Sequence, residues 1–93
     1  MKLSEDFICR HICGETLLMP VGEKTKEFNG IFTLSETGAF LIDAVMNGAD
    51  EQTAAKGLAA EFEIGEDTAL QDTREFLRQL LGYGILLEEA PRT

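Results

Sequence analysis

The stretch Asn29–Met46, NGIFTLSETGAFLIDAVM, decides the fold of this chain. Asn29 and Gly30 are typical of a turn, and the β-branched, aromatic and large apolar residues that follow predict a strand over Gly30–Leu34. Ser35 is a favoured helix N-cap. The chain is therefore expected to pass from a strand directly into a helix at this serine.

The helix predicted after Ser35 is apolar around most of its circumference. Its apolar residues recur at helical spacing. They are Phe40, Leu41, Ala44 and Val45, with Ile42 and Met46 beside them. A helix of this kind belongs at the centre of a small fold, so the preceding strand is expected to lie next to that centre.

Length and composition predict one domain over residues 1–93, with a core from about 7 to 87 and a polar tail over 88–93. The formal net charge of −9 opposes binding to nucleic acid or to an anionic membrane surface. The first residues do not resemble a signal peptide, and no apolar run reaches the roughly 18 residues that a membrane span needs. We therefore expect a cytoplasmic protein.

Two runs before this stretch predict a β-hairpin. Phe7–Cys13 and Thr16–Val21 are rich in apolar and β-branched residues, and Gly14 and Glu15 between them suit a tight turn. Apolar residues occupy both faces of the first run, which a bulge near Arg10 would explain. With Gly30–Leu34, the hairpin gives three strands.

The remainder of the chain is predicted to be a charged loop over Glu23–Glu27 and two further helices. Gly48 ends the first helix, Asp50 caps the second, and the third spans about Glu66–Tyr83. The apolar stripes of the second and third helices are Ala54, Ala55, Leu58, Ala59 and Phe62, and Leu70, Thr73, Phe76, Leu77 and Leu80. A short apolar segment, Ile85–Leu87, precedes the tail. The predicted class is α+β, with a three-stranded antiparallel sheet followed by three helices.

The residues able to carry chemistry are few. Cys9 and Cys13 lie about 13 Å apart if both are on one strand, too far for a disulfide, and His11 is the only histidine. This set lacks the further ligands of a zinc site, so we expect packing roles, no metal and no cofactor. An enzyme that uses Cys9, His11 or Cys13 is the less favoured alternative.

A three-stranded sheet has edges, and an exposed edge beside a helix can accept an extended peptide as an added strand. Such a protein would be a binding module. The edge could equally be covered within the protein or in a homodimer, and periodicity does not distinguish these arrangements.

The sequence resembles the PqqD-like family of precursor peptide recognition elements. The resemblance rests on VGEKTKEFNGIFTLSETGAFLIDAV at 21–45, an aromatic residue at Phe62 and TREFLRQLLGYGIL at 73–86. It implies a winged helix-turn-helix-like fold that binds the leader segment of a ribosomally made precursor peptide. It further implies presentation of that peptide to a modifying enzyme, often a radical S-adenosylmethionine (SAM) enzyme, with no catalytic activity of its own.

The resemblance also implies which residues bind the peptide. The leader would add to the strand formed by Gly30, Ile31, Phe32, Thr33 and Leu34, in a groove closed by Arg74, Leu77, Arg78 and Leu81 of the third helix. The chain departs from the family pattern at Gly65 and at Cys9, His11 and Cys13, which leaves open a role for the thiols that is particular to this lineage.

Two other binding functions are compatible with the order of elements. A winged-helix DNA-binding regulator could use Arg74 and Arg78, although Glu75 and the acidic surplus oppose it. A homodimeric adaptor could pair through the same strand edge.

Overall fold

The structure is a computed structural model and describes residues 1–28 and 30–88. Its elements are β1 Lys2–Leu3, β2 Phe7–Ile12, β3 Glu15–Pro20, a 3₁₀ helix Gly22–Lys26, β4 Phe32–Leu34, α1 Glu36–Met46, α2 Glu51–Phe62, α3 Glu66–Gly82 and β5 Leu86–Leu87. Strands β2, β3 and β4 form an antiparallel sheet in that order, and β1 pairs with β5. The predicted α+β fold, a three-stranded sheet followed by three helices, is confirmed.

Among the described residues, no helix combines the length and the apolar character that crossing a bilayer requires.

The turn of the hairpin consists of Cys13 and Gly14, one residue earlier than predicted. Their φ angles are 51° and 78°, and a type I′ turn requires positive φ at both of its central residues. This turn type is favoured in two-residue hairpins because its twist matches that of the flanking strands. Glu15 consequently belongs to β3, where it pairs with Ile12.

The predicted bulge near Arg10 is wrong. Pairing between β2 and β3 runs without a break from Phe7 opposite Pro20 to Ile12 opposite Glu15. The mixed alternation arises because the outer face of the sheet is itself partly apolar; Ile12, for example, is 49% exposed. A strand with apolar residues on both faces needs no irregularity to accommodate them.

The segment that leads to β4 is held by aromatic contacts. The predicted loop Glu23–Glu27 largely forms the 3₁₀ helix, which has no buried residue. Phe28 then packs edge to face on Phe7 and on Phe32, with ring centroids 5.3 and 5.7 Å apart. The predicted turn at Asn29 lies outside the described residues, while Gly30 has a φ of 95° and precedes the strand.

The helices begin and end close to the predicted positions. Ser35 Oγ accepts a hydrogen bond from the Gly38 N–H, and an oxygen of Asp50 accepts one from the Thr53 N–H at 2.7 Å. The hydrogen bond from the Thr53 N–H is the main reason that the pKa of Asp50 is lowered. Both residues are therefore the N-caps that the sequence predicts.

The core has two adjoining parts. The first lies between the sheet, α1 and the second half of α3, and its buried members are Phe7, Leu18, Ile42, Val45, Leu77, Leu80, Ile85 and Leu86. The second joins the three helices through Leu41, Ala54, Leu58, Ala59 and Ala69. Helix α1 contributes to both parts and is central as predicted, although Met46 at its end is 49% exposed.

The β1–β5 pair is the part of the fold that the sequence does not predict. Lys2 pairs with Leu87 and Leu3 with Leu86, and the Ser4 N–H donates to the Ile85 carbonyl at 2.8 Å. Leu86 is fully buried. The apolar segment after α3 is thus a core strand that ties the two ends of the domain together. The predicted tail begins at Glu88, and residues 89–93 lie outside the described residues.

Candidate functional site

Strand β4 forms one edge of the three-stranded sheet. It pairs with β3 through Thr16 opposite Leu34, Leu17 opposite Thr33 and Leu18 opposite Phe32. Across residues 1–28 and 30–88, no strand pairs with the other side of β4. Within these residues the side is therefore open, which is one of the arrangements that the sequence leaves possible.

Hydrogen bonding in the neighbouring ladder determines which β4 residue faces the open edge. The Val21 N–H donates to the Asp6 carbonyl at 2.8 Å, directly beyond the pair Phe7–Pro20. In an antiparallel ladder, alternate residues direct their backbone groups to opposite sides. The odd-numbered residues of β3, Leu17 among them, therefore bond to β2, whereas Thr16 and Leu18 face β4.

The same alternation applies along β4. Phe32 and Leu34 lie opposite Leu18 and Thr16, so their N–H and C=O groups bond to β3. Thr33 lies between them, and its N–H and C=O point away from β3 to the open edge. Thr33 is therefore the β4 residue that offers a donor and an acceptor to an added strand.

The side chains of β4 also alternate between the two faces. Phe32 and Leu34 lie on the inner face of the sheet with Leu18, and Phe32 is 37% exposed. Thr33 lies on the outer face and is exposed. Ile31, just before the strand, is 56% exposed. The edge thus presents apolar surface beside its free backbone groups.

A cavity of about 240 Å³ opens where β4 passes into α1, between this junction and α3. Its lining residues are Ser35, Thr37, Gly38, Leu41, Leu58, Asp72, Glu75, Phe76 and Gln79. The base is apolar, whereas Asp72 and Glu75 are exposed acidic residues. The cavity thus adjoins the end of β4 at Ser35.

Two lining residues of the cavity, Gly38 of α1 and Phe76 of α3, pack closely against each other. A Cβ atom on Gly38 would lie 3.1 Å from Phe76 Cε1 and 3.3 Å from Ser35 Oγ. Glycine at this position lets the first turn of α1 sit directly against the Phe76 ring. The sequence pattern places Phe76 only in the core stripe of α3. Its position at the margin of that stripe is the signal that it also lines the cavity.

The four residues predicted on α3 occupy different environments. Leu77 is 1% exposed and belongs to the core, so it does not line an open surface. Leu81 is half-buried against the first part of the core. Arg74 and Arg78 are exposed, but each is two positions from Phe76 and therefore about 160° around the helix from it.

The structure therefore does not bring the two arginines to the cavity. Arg74 Nε lies 3.5 Å from Glu51 Oε2 at the start of α2. Arg74 and Arg78 instead line a separate groove of about 270 Å³ along α3, together with Asp67, Leu70, Gln71 and Glu75. The α3 residues that share the cavity with the β4–α1 junction are Asp72, Glu75, Phe76 and Gln79.

One cluster of potential metal ligands lies elsewhere, between β2 and α1. Cys9, His11 and Asp43 each place a ligand atom within 4.8 Å of the other two. Burial, followed by the charge of Asp43, raises the pKa of the Cys9 thiol. Cys13 is an exposed thiol outside this cluster.

The strand hairpin, its edge strand β4 and the three helices define a winged helix-turn-helix-like domain with an open edge. The sequence matches the family described as Coenzyme PQQ synthesis protein D (PqqD) over residues 15–86, and the chain belongs to this family. Comparison with curated proteins gives no significant sequence match.

Two solved structures share the fold. The first, "TbiB1 in Complex with the TbiA(beta) Leader Peptide", superposes with a TM-score of 0.80 at 24% identity and covers 98% of this chain and 100% of that one. The second, "Lasso peptide synthetase B1 complexed with the leader peptide", gives a TM-score of 0.79 at 18% identity and covers 94% and 96%. Each of these proteins is complexed with a leader peptide.

Proposed function

We propose that this protein binds the leader segment of a ribosomally made precursor peptide as an extra strand on β4 and presents the peptide to a modifying enzyme. The observation that carries the proposal is the outward-facing backbone of Thr33 on an open sheet edge, in a chain of the PqqD family. The leader-peptide complexes of the two structural neighbours support the same ligand class.

Backbone pairing alone would give weak and unselective binding. A hydrogen bond contributes about 0.5–1.5 kcal/mol net, and β4 is only three residues long. The free energy lost on ordering an extended peptide offsets much of this gain. Selective binding therefore requires side-chain contacts next to the edge.

The cavity beside β4 offers such contacts. Phe76 at its base suits an apolar side chain of the peptide, and Asp72 and Glu75 at its rim suit a basic one. The net charge of −9 favours the approach of a basic segment in the same way. We expect the preferred leader to carry an apolar residue followed or preceded by lysine or arginine.

The predicted α3 contacts divide accordingly. Leu77 and Leu81 pack in or against the first part of the core and support the fold behind the cavity, rather than lining it. Arg74 and Arg78 would touch only a peptide that continues over the opposite side of α3. Replacing both arginines with alanine tests that longer path, and unchanged affinity would restrict the peptide to β4 and the cavity.

The partner enzyme is the second half of the proposal. Resemblance to the PqqD-like group implies a radical SAM enzyme as the partner, with no catalytic activity in this chain itself. One structural neighbour is a lasso peptide synthetase B1, so a radical SAM enzyme is not the sole candidate partner. The enzymes to test are therefore the peptide-modifying enzymes encoded beside this gene. We expect the immobilised protein to retain such an enzyme, and to retain more of it when the precursor peptide is present.

Titration of the ¹⁵N-labelled protein with the leader peptide encoded nearby tests binding. The amides of Ile31 and Thr33 should shift most, and the Thr33 amide should gain protection from hydrogen exchange. If the protein is saturated with peptide and no amide of Gly30–Leu34 shifts, strand addition is refuted.

Two further measurements test the other binding functions. Sedimentation with and without the peptide distinguishes peptide binding from a homodimer that pairs through β4. A gel shift at low salt tests DNA binding.

A further inference from the structure

Three side chains with metal-binding atoms converge between β2 and α1. Cys9 and His11 are two residues apart on β2 and therefore project from the same face of the strand. Asp43 extends from α1, and its Oδ1 lies 3.5 Å from His11 Nε2. All three ligand atoms lie within 4.8 Å of one another.

We propose that Cys9, His11 and Asp43 form a binding site for a divalent cation of the zinc class. Thiolate, imidazole and carboxylate are the three ligand types that Zn²⁺ accepts in proteins. Ligand bonds of about 2.0–2.3 Å in a tetrahedral arrangement place neighbouring donor atoms about 3.3–3.6 Å apart. The His11–Asp43 separation of 3.5 Å already has this value, and the Cys9 sulfur lies within 4.8 Å of both other ligand atoms.

The environment of His11 supports the assignment. Its Nδ1 lies 2.9 Å from Thr16 Oγ1, and Thr16 is buried. When Nδ1 donates to this hydroxyl, the lone pair of Nε2 is directed towards Asp43 and is available to a metal. The second ring N–H of a histidine ligand almost always donates a hydrogen bond, usually to a carboxylate, a backbone carbonyl or water, and this bond orients the ring.

The site has an accessible side. The side chains of His11 and Asp43 are 60% and 48% exposed, so a water molecule can reach a fourth coordination position. Three protein ligands from two elements would connect β2 to α1, and the bound ion would stabilise the folded domain. The sequence around Cys9 and His11 does not reveal the third ligand, because Asp43 is more than thirty positions from His11.

The site is separate from the proposed peptide edge. Strands β2 and β4 are the two opposite edges of the sheet. Loss of the metal ligands should therefore leave leader binding at β4 intact, and a failure of one proposal is distinguishable from a failure of the other.

Zinc affinity measured by competition with a chromophoric chelator tests the site. The purified, reduced protein should bind one Zn²⁺, and Co²⁺ should give the thiolate-to-cobalt charge-transfer band. Asp43→Asn and Cys9→Ser should each weaken binding at least tenfold, and Thr16→Val should weaken it about tenfold through His11. Cys13→Ser is the matched control and should bind as the wild type does.

Alkylation of the two thiols locates the ion within the intact protein. Zinc should slow modification of Cys9 and leave that of Cys13 unchanged, as read by mass spectrometry of the peptides. Circular dichroism without zinc establishes that each variant is folded. Binding that survives both Asp43→Asn and His11→Ala, protection of both thiols equally, or loss of binding with Cys13→Ser would overturn the proposal.

Discussion

Thr33 lies opposite Leu17 across the β3–β4 ladder, in a pair that exchanges no backbone hydrogen bonds. This follows from the hydrogen bond between Val21 and Asp6, which fixes the alternation throughout the sheet. As a result, the two neighbours Phe32 and Thr33 have opposite backbone roles. Phe32 holds β4 to the sheet, whereas Thr33 faces the open edge.

Proline substitutions separate these two roles, because proline removes one N–H donor. Thr33→Pro should weaken leader binding at least tenfold and change stability little, since the lost donor serves only the added strand. Phe32→Pro should lower stability, because it removes a hydrogen bond to Leu18 of β3. Calorimetric titration and urea unfolding measure the two effects.

Thr33→Val is the matched control for that pair. It changes the exposed side chain, keeps the backbone donor and should retain most of the affinity. Equal losses of affinity for the valine and proline variants would show that the Thr33 side chain, rather than its backbone, binds the peptide.

Gly38→Ala should reduce leader binding with little loss of stability. The added methyl group would lie 3.1 Å from the Phe76 ring, which is half-buried and can shift into the adjacent cavity. Gly57→Ala creates a similar 3.1 Å approach to Phe40, away from β4, and is the matched control. If both variants lose affinity equally, the effect comes from general packing and the cavity has no part in binding.

Thr73→Val should stabilise the protein by about 1–2 kcal/mol, because burying a hydroxyl group without a partner is unfavourable. Thr73 is fully buried in α3, and its Oγ1 has no hydrogen-bond partner among the described residues. Thr73→Ser retains the hydroxyl, loses a methyl group and should destabilise by about 1 kcal/mol. Urea unfolding checks both values, and a valine variant less stable than the wild type would contradict the reasoning.

Most elements of the fold could be predicted because local signals and tertiary packing agree. Ser35 and Asp50 cap helices as their side chains favour, and the period change at Ser35 marks the end of β4. That the sheet has a free edge strand could also be predicted from the number of strands, but whether that edge is open or covered could not. The β4 residue whose backbone faces that edge could not be predicted, because it depends on the pairing register of β2 and β3, which the Cys13–Gly14 turn sets.

The features that the sequence did not predict depend on contacts between distant residues. Strands β1 and β5 have two residues each, too few for an alternating pattern, and form only because residues 2–3 and 86–87 meet in the fold. Asp43 joins Cys9 and His11 through the packing of α1 on the sheet. The positions of Arg74 and Arg78 relative to Phe76 follow from the helix period, but their distance from the cavity depends on how α3 is rotated in the fold.

Asp50→Asn should remove a pH-dependent contribution to stability. The folded-state pKa of Asp50 lies below its ordinary value of 3.8, mainly because its carboxylate accepts a hydrogen bond from the Thr53 N–H. The contribution is therefore complete above pH 3.8 and is lost as the pH falls through the lowered folded-state pKa. Asparagine also caps helices but does not titrate. The difference in unfolding free energy between wild type and variant should thus shrink on acidification; a constant difference between pH 6 and pH 2 would contradict this.

Leu86→Ala should destabilise the domain far more than Leu87→Ala, although the two residues are adjacent in β5. Leu86 is fully buried in the first part of the core, so truncation leaves a cavity and should cost about 2–5 kcal/mol. Leu87 is 41% exposed and should cost less than about 1 kcal/mol. Thermal and urea unfolding of the two variants measure the contrast. A small domain has a total stability of about 5–15 kcal/mol, so a loss of about 2–5 kcal/mol is easily measured. If the Leu86 variant is as stable as the Leu87 variant, β5 is not part of the cooperative core.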